Sequence, residues 1–140
     1  MTLQLTFENP DPDDIQLLSD GIMNNARQKK GLKPIDFFSC FIRDKDSTIL
    51  GGCNGCLLYG SLHIDQLWVS ENYRCQGLGS QLIKAALRFG KNKGCIFATV
   101  NTMDWEALGF YQKAGFIIEF ERQGFLKDSK FYFLRLNFSS

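Results

Sequence analysis

The sequence predicts an α/β (α+β) domain, with a mixed central sheet of about six to seven strands flanked by about four helices. Two observations carry that expectation. Runs with period two, bounded by Gly, Pro and Asn, occupy the first and last thirds of the chain, whereas two stretches of the second half switch to helical spacing. Between them a strand, a short polar loop, a glycine pair and an amphipathic helix follow one another directly. At 140 residues the chain fits one domain, residues 1–140, and 44% hydrophobic content with thirteen Phe supplies a core rather than a disordered chain.

Leu3, Leu5 and Phe7 alternate as in a half-buried strand, which Asn9-Pro10-Asp11-Pro12 ends. From 13 to about 30, Ile15, Leu18 and Ile22 share a helical face, and Gly21 is expected to split the segment into two helices. Residues 37–42 and 48–59 read as a hairpin joined by the polar turn Arg43-Asp44-Lys45-Asp46-Ser47. Gly60-Ser61 turns the chain into a strand over 62–69. From Gly77 onward, Leu78, Leu82, Ile83, Ala86, Leu87 and Phe89 recur at helical spacing until Gly90 and Lys91-Asn92-Lys93-Gly94. Residues 95–100 are a near-continuous apolar run, as in a strand covered on both faces. A second helix is expected from about 104 to 114, ended by Gly115, and 116–121 and 130–138 close the chain as two strands.

Composition excludes several function classes. Sixteen basic residues against fifteen acidic ones leave a net charge of +1, too little to attract nucleic acid or an anionic membrane. Lys29-Lys30 and Lys33 read as a solvated helix end. No apolar run reaches membrane-span length and Met1-Thr2-Leu3-Gln4-Leu5 lacks signal-peptide blocks, so a cytoplasmic location is expected. Five cysteines are an odd count, for which reduced thiols are the default. Cys53-Asn54-Gly55-Cys56 has half a zinc-site spacing, but with no second pair and His63 as the only histidine, no metal is expected.

The chemistry concentrates at Arg74-Cys75-Gln76-Gly77-Leu78-Gly79-Ser80. A helix opening there presents unpaired N–H groups and the positive end of its dipole to an anion. Gly77 and Gly79 let a diphosphate approach the backbone, and Arg74 adds a mobile charge at the rim. A Walker loop would need Gly-Lys-Ser/Thr, and a dinucleotide fingerprint would need glycine where Leu82 stands.

Arg74-x-x-Gly77-x-Gly79, preceded by Leu67-Trp68-Val69, resembles the Q/R-x-x-G-x-G/A signature of the GNAT superfamily of N-acetyltransferases. Ala107-Leu108-Gly109-Phe110-Tyr111-Gln112-Lys113-Ala114-Gly115-Phe116 is similar to that family's A-x-x-x-Y-x-K-x-G-F segment, one strand and one loop later. The two matches span residues 62–116. The resemblance implies acetyl-CoA as cosubstrate, with its pantetheine between two splayed parallel strands, beside Leu67 and Val69 on one and Val100 and Asn101 on the other. It adds Phe110 to the cofactor contacts, together with Arg74 to Ser80. Asn101 reads equally well as a turn residue, and Asp104 stands where the family often has Asn.

The same resemblance places Tyr111 where the family protonates the departing thiolate; the alternative is a packed ring beside Phe110. In histone-type relatives a glutamate eleven residues before the first signature residue serves as base, and counting back from Arg74 reaches His63. His63 and Asp65 are therefore the candidate base or relay, while Glu71 reads as a solvated loop charge. Cys75 would face phosphates rather than a thioester, which removes it as an acyl carrier. The implied reaction is direct attack of a primary amine, of a small molecule or a protein, on acetyl-CoA in a ternary complex. The rival from another class is a non-catalytic acyl-CoA-binding regulatory module. Phe37, Phe38, Tyr59, Phe125 and Tyr132 are candidates to line an acceptor pocket or simply to pack in the core, and a homodimer stays a possible assembly.

Overall fold

The computed structural model describes residues 2–138. The chain falls into two compact units, Met1–Pro34 and Ile35–Ser140.

The first unit holds one helix, α1 (Pro12–Lys30). Asp11 caps it by accepting from the backbone N–H groups of Asp13 and Asp14, Pro12 stands at its first position, and Gly31 ends it in a left-handed conformation. Acidic residues in the first turn and Arg27, Lys29 and Lys30 in the last complement the helix dipole. These end effects outweigh the roughly 1 kcal/mol that an interior glycine costs. Gly21 therefore does not split the segment, and the expected helix pair is one helix. The expected strand at Leu3, Leu5 and Phe7 is not formed either. Within this unit its backbone has no strand to pair with, and period-two patterning stabilises nothing without a ladder.

The second unit is a six-stranded sheet in the order β1-β2-β3-β4-β6-β5. Its strands are β1 (Asp36–Arg43), β2 (Ile49–Leu58), β3 (Ser61–Val69), β4 (Phe97–Met103), β5 (Ile117–Phe125) and β6 (Ser129–Asn137). The described residues thus hold six strands and three helices, one helix fewer than expected because α1 is unbroken. Helix α2 (Leu78–Asn92) buries Leu82, Ile83 and Ala86, and one core joins these to Leu62, Ile64, Val100 and Leu134. Alternation fixes the other sheet face: Phe37, Ser39 and Phe41 are registered with Cys56, Asn54 and Gly52, and Cys56 with His63. Cys53 and Cys56, three apart on one strand, consequently point to opposite faces.

Helix α3 (Leu108–Lys113) starts four residues later than its periodicity suggests. Local side chains take the preceding backbone donors: Thr102 Oγ1 accepts from Ala107 N–H and the Glu106 carboxylate from Met103 N–H, while Asp104 N–H donates to the Lys130 carbonyl.

Only β3 and β4 run parallel, and they pair over four residues, Ser61–Phe97 to Ile64–Val100. Both strands continue, β3 to Val69 against β2 and β4 to Met103 against β6. The pair is splayed from Asp65 onward. At the same point Gly55 is registered with Ile64 and Asn54 with Gln66, so Asp65 is an extra residue, a bulge, on β3. A side chain at Gly55 would place its Cβ 1.9 Å from the His63 carbonyl oxygen, a contact only glycine avoids.

Candidate active site

The splay opens into a cavity of about 620 Å³ between the end of β3, the start of α2 and the turn before α3. Its walls include nine of the residues expected to hold the cofactor: Leu67, Val69, Arg74, Cys75, Gly77, Leu78, Gly79, Ser80 and Phe110. Gln76 and Asn101 are not among them; the Gln76 amide turns back to the Asn72 carbonyl, and Asn101 lies on β4 opposite Phe133. Trp68, Tyr73, Trp105, Glu106 and Ala107 complete the wall, and none of them was expected there. Trp105, 70% exposed, carries the available signal: a large apolar residue between the two motifs, with no periodic partner to pack against.

Helix α2 begins at Gly77 (φ +81°), and no side chain caps it. With no acidic residue in the first turn either, its leading N–H groups and positive dipole end are free to meet an anion. A Cβ on Gly77 would meet nothing within 4 Å, so this glycine serves its left-handed φ and an open approach. Gly79 works differently: a Cβ there would lie 3.3 Å from the Phe110 ring. Its missing side chain makes room for Phe110, not only for a ligand. Arg74 also departs from the expected mobile charge, since its Nε donates to the Val69 carbonyl at 2.9 Å and ties the loop to the strand end. The β4-facing backbone groups of 65–69 have no strand partner along the splay. An open helix start, an unhindered glycine and a strand edge without a strand partner thus line one cavity.

Tyr111 is 5% exposed and does not line this cavity. Its ring packs edge-on against Phe110 and Phe116, with centroids 5.2 and 5.8 Å away. Burial, then the neighbouring Cys53 and Glu106, push its phenol up to about 12. Among the described residues no buried side-chain nitrogen or oxygen is left without a partner, so its hydroxyl is not an orphan of the core. Cys53 is raised to about 11 by burial and by Cys40, which keeps it a protonated core thiol.

His63 and Asp65 come together in a second cavity, of about 400 Å³, on the sheet face away from α2. Phe37, Phe38, Ser39, Asn54, Gly55 and Cys56 line the rest. Phe37 and Phe38 are thus placed as the pocket expectation has them, whereas Tyr59, Phe125 and Tyr132 line neither cavity. The His63 Nδ1 lies 2.7 Å from Thr99 Oγ1 on β4. Burial lowers the imidazole pKa, and the Asp65 carboxylate acts against that shift. Along β3 the bulge at Asp65 follows His63, which lines this cavity, and precedes Leu67, Trp68 and Val69, which line the first. Among the described residues, no group of three His, Cys, Asp or Glu is placed to hold a metal ion.

Residues 8–116 match the Acetyltransferase (GNAT) family. Over 85 residues the chain is 36% identical to the blasticidin-S acetyltransferase of Streptomyces morookaense, covering 60% of this chain and 62% of that protein. The matched stretch therefore spans about three fifths of that relative's length. A crystal structure of an acetyltransferase from Bacillus cereus superposes with a TM-score of 0.78 at 24% identity, covering 96% of this chain and 98% of the other. A GNAT family acetyltransferase from Elizabethkingia anophelis, with acetyl-CoA bound, gives a TM-score of 0.65 at 23% identity over 96% and 95%. These two likenesses show the fold.

Proposed function

Because the chain belongs to the Acetyltransferase (GNAT) family, we propose that it is an N-acetyltransferase, transferring the acetyl group of acetyl-CoA to a primary amine of a small molecule or a protein. The observation that carries this reading is the splay of β3 from β4 at the uncapped start of α2, with a second cavity lined by His63 and Asp65 at the bulge. Residues 1–140 are read as one catalytic domain, on a family match that runs through both units. We place it in the cytoplasm, acting without nucleic acid or membrane partners; no helix among the described residues is long and apolar enough to cross a membrane.

Acetyl-CoA supplies an activated thioester. The chain's own groups bind and orient it and manage protons. The N–H groups at the start of α2 hold the diphosphate, and free backbone groups of β3 align the pantetheine. An amine of pKa about 10.4 must lose a proton, at a cost of about 4.6 kcal/mol at pH 7. His63, kept neutral by burial, and Asp65 are the groups proposed to take that proton, directly or through water.

For Tyr111 the magnitudes decide between two roles. Full proton transfer from a phenol near 12 to a thiolate of about 8.5 is uphill by about 3.5 pKa units, or roughly 4.8 kcal/mol. We therefore read Tyr111 as a hydrogen-bond donor that stabilises developing charge on sulfur without giving up its proton. An amine panel with acetyl-CoA, followed by thiol release, tests the assignment: amine-dependent release supports it. Tight acetyl-CoA binding with no release for any amine would favour the non-catalytic binding module.

A further inference from the structure

We infer that Thr99 is a positioning residue, holding His63 with its proton on Nδ1 so that Nε2 keeps a free lone pair for the acceptor amine. The inference rests on the proposed acetyl transfer and on His63 as its base. An imidazole in neutral form carries one proton, and the hydrogen bond at one nitrogen decides which nitrogen that is. At 2.7 Å the Thr99 hydroxyl is the sole partner of Nδ1. If Nδ1–H donates to Oγ1, Nε2 is basic and faces the remaining partners in the cavity; if Oγ1–H donates instead, the proton sits on Nε2 and the ring cannot accept there. Among the described residues Nε2 has no hydrogen-bond partner, so the Thr99 hydroxyl is the ring's one anchor.

The contact depends on the fold in a way that no local pattern reveals. His63 and Thr99, 36 residues apart, are neighbours because they form the third of the four parallel pairs, just before the strands part. The next-to-last pair before the splay therefore sets the ring near the bulge. The groups facing His63 are Asp65 on β3, Cys56 on β2, Ser39 on β1 and Thr99 on β4, with no basic side chain in the cavity. On β6, Arg135 is registered with Thr99, but its guanidinium lies 3.8 Å over the Phe97 ring and its Nε donates to Asn137. Among the described residues Asp65 is thus the only charge that His63 meets.

His63 is the chain's only histidine, so ¹⁵N spectra of histidine-labelled protein report this ring alone. The expected wild-type spectrum shows a protonated Nδ1 and an unprotonated Nε2, retained in Thr99→Ser and lost in Thr99→Val. Thr99→Val should lower kcat with the best amine by about tenfold or more, leaving the KM for acetyl-CoA unchanged, and Thr99→Ser should restore it. The acid limb of the pH profile should move to lower pH in Thr99→Val, since the protonated ring loses an acceptor. A wild-type ring protonated on Nε2 overturns the inference, as does full activity of Thr99→Val beside an impaired His63→Gln. Full activity of His63→Gln instead removes His63 from the chemistry, and the base assignment falls with it.

Discussion

At residue resolution the two side chains proposed to serve the chemistry differ in what surrounds them. Tyr111 is buried among aromatic rings, while His63 lies half-buried in a cavity with one carboxylate beside it. Tyr111→Phe keeps the ring, so packing predicts an unchanged melting temperature. If the hydroxyl donates to sulfur, single-turnover acetyl transfer should fall by about 10²–10³-fold with acetyl-CoA affinity intact. Tyr111→Ala removes the ring and should destabilise the fold by about 3–5 kcal/mol. Wild-type turnover in the Phe variant would leave Tyr111 as packing alone. The packing of Tyr111 beside Phe110 was legible as one of two readings of its motif position, whereas its neighbour Cys53, 58 residues earlier and reached only across the core, was not.

Among the elements, the start of α2 is the sharpest case. Gly77 and Gly79 look equivalent in the sequence, yet one faces open space and the other faces Phe110. Gly77→Glu should abolish acetyl-CoA binding by calorimetry, placing a carboxylate where the diphosphate is expected, with roughly 1–2 kcal/mol of strain from its positive φ. Gly79→Glu should lose binding and destabilise further, because Phe110 must move. Equal melting temperatures for the two variants would refute that division of labour. Strands β1 to β3 and helix α2 were readable because each carries its own period and its own stop signals, and β4 because its apolar run is near-continuous. The N-terminal strand, the split of α1 and the start of α3 were misread because what decides them is not periodic: a missing ladder partner, end caps on α1, and side chains that bind nearby backbone at Thr102 and Glu106. The parallel pairing that places Thr99 against His63 was likewise beyond a local reading.

For the molecule as a whole, binding should appear as stability. At a hundredfold excess over Kd, acetyl-CoA is expected to stabilise the folded chain by about 2.7 kcal/mol, raising the melting temperature by roughly 5–10 °C. No shift under saturating acetyl-CoA would contradict the cosubstrate assignment. The site also lies along a line of weakness. The sheet consists of two three-stranded halves, β1-β2-β3 and β4-β6-β5, sewn together by only the four pairs between Ser61 and Ile64 on one side and Phe97 and Val100 on the other. A pantetheine lying along residues 65–69 would act as the missing stitches, extending the seam to the end of β3. On the proposed reading, stiffness is borrowed from the cosubstrate: a bound pantetheine should tie the two halves together, and amide hydrogens along β3 should exchange more slowly in the loaded state.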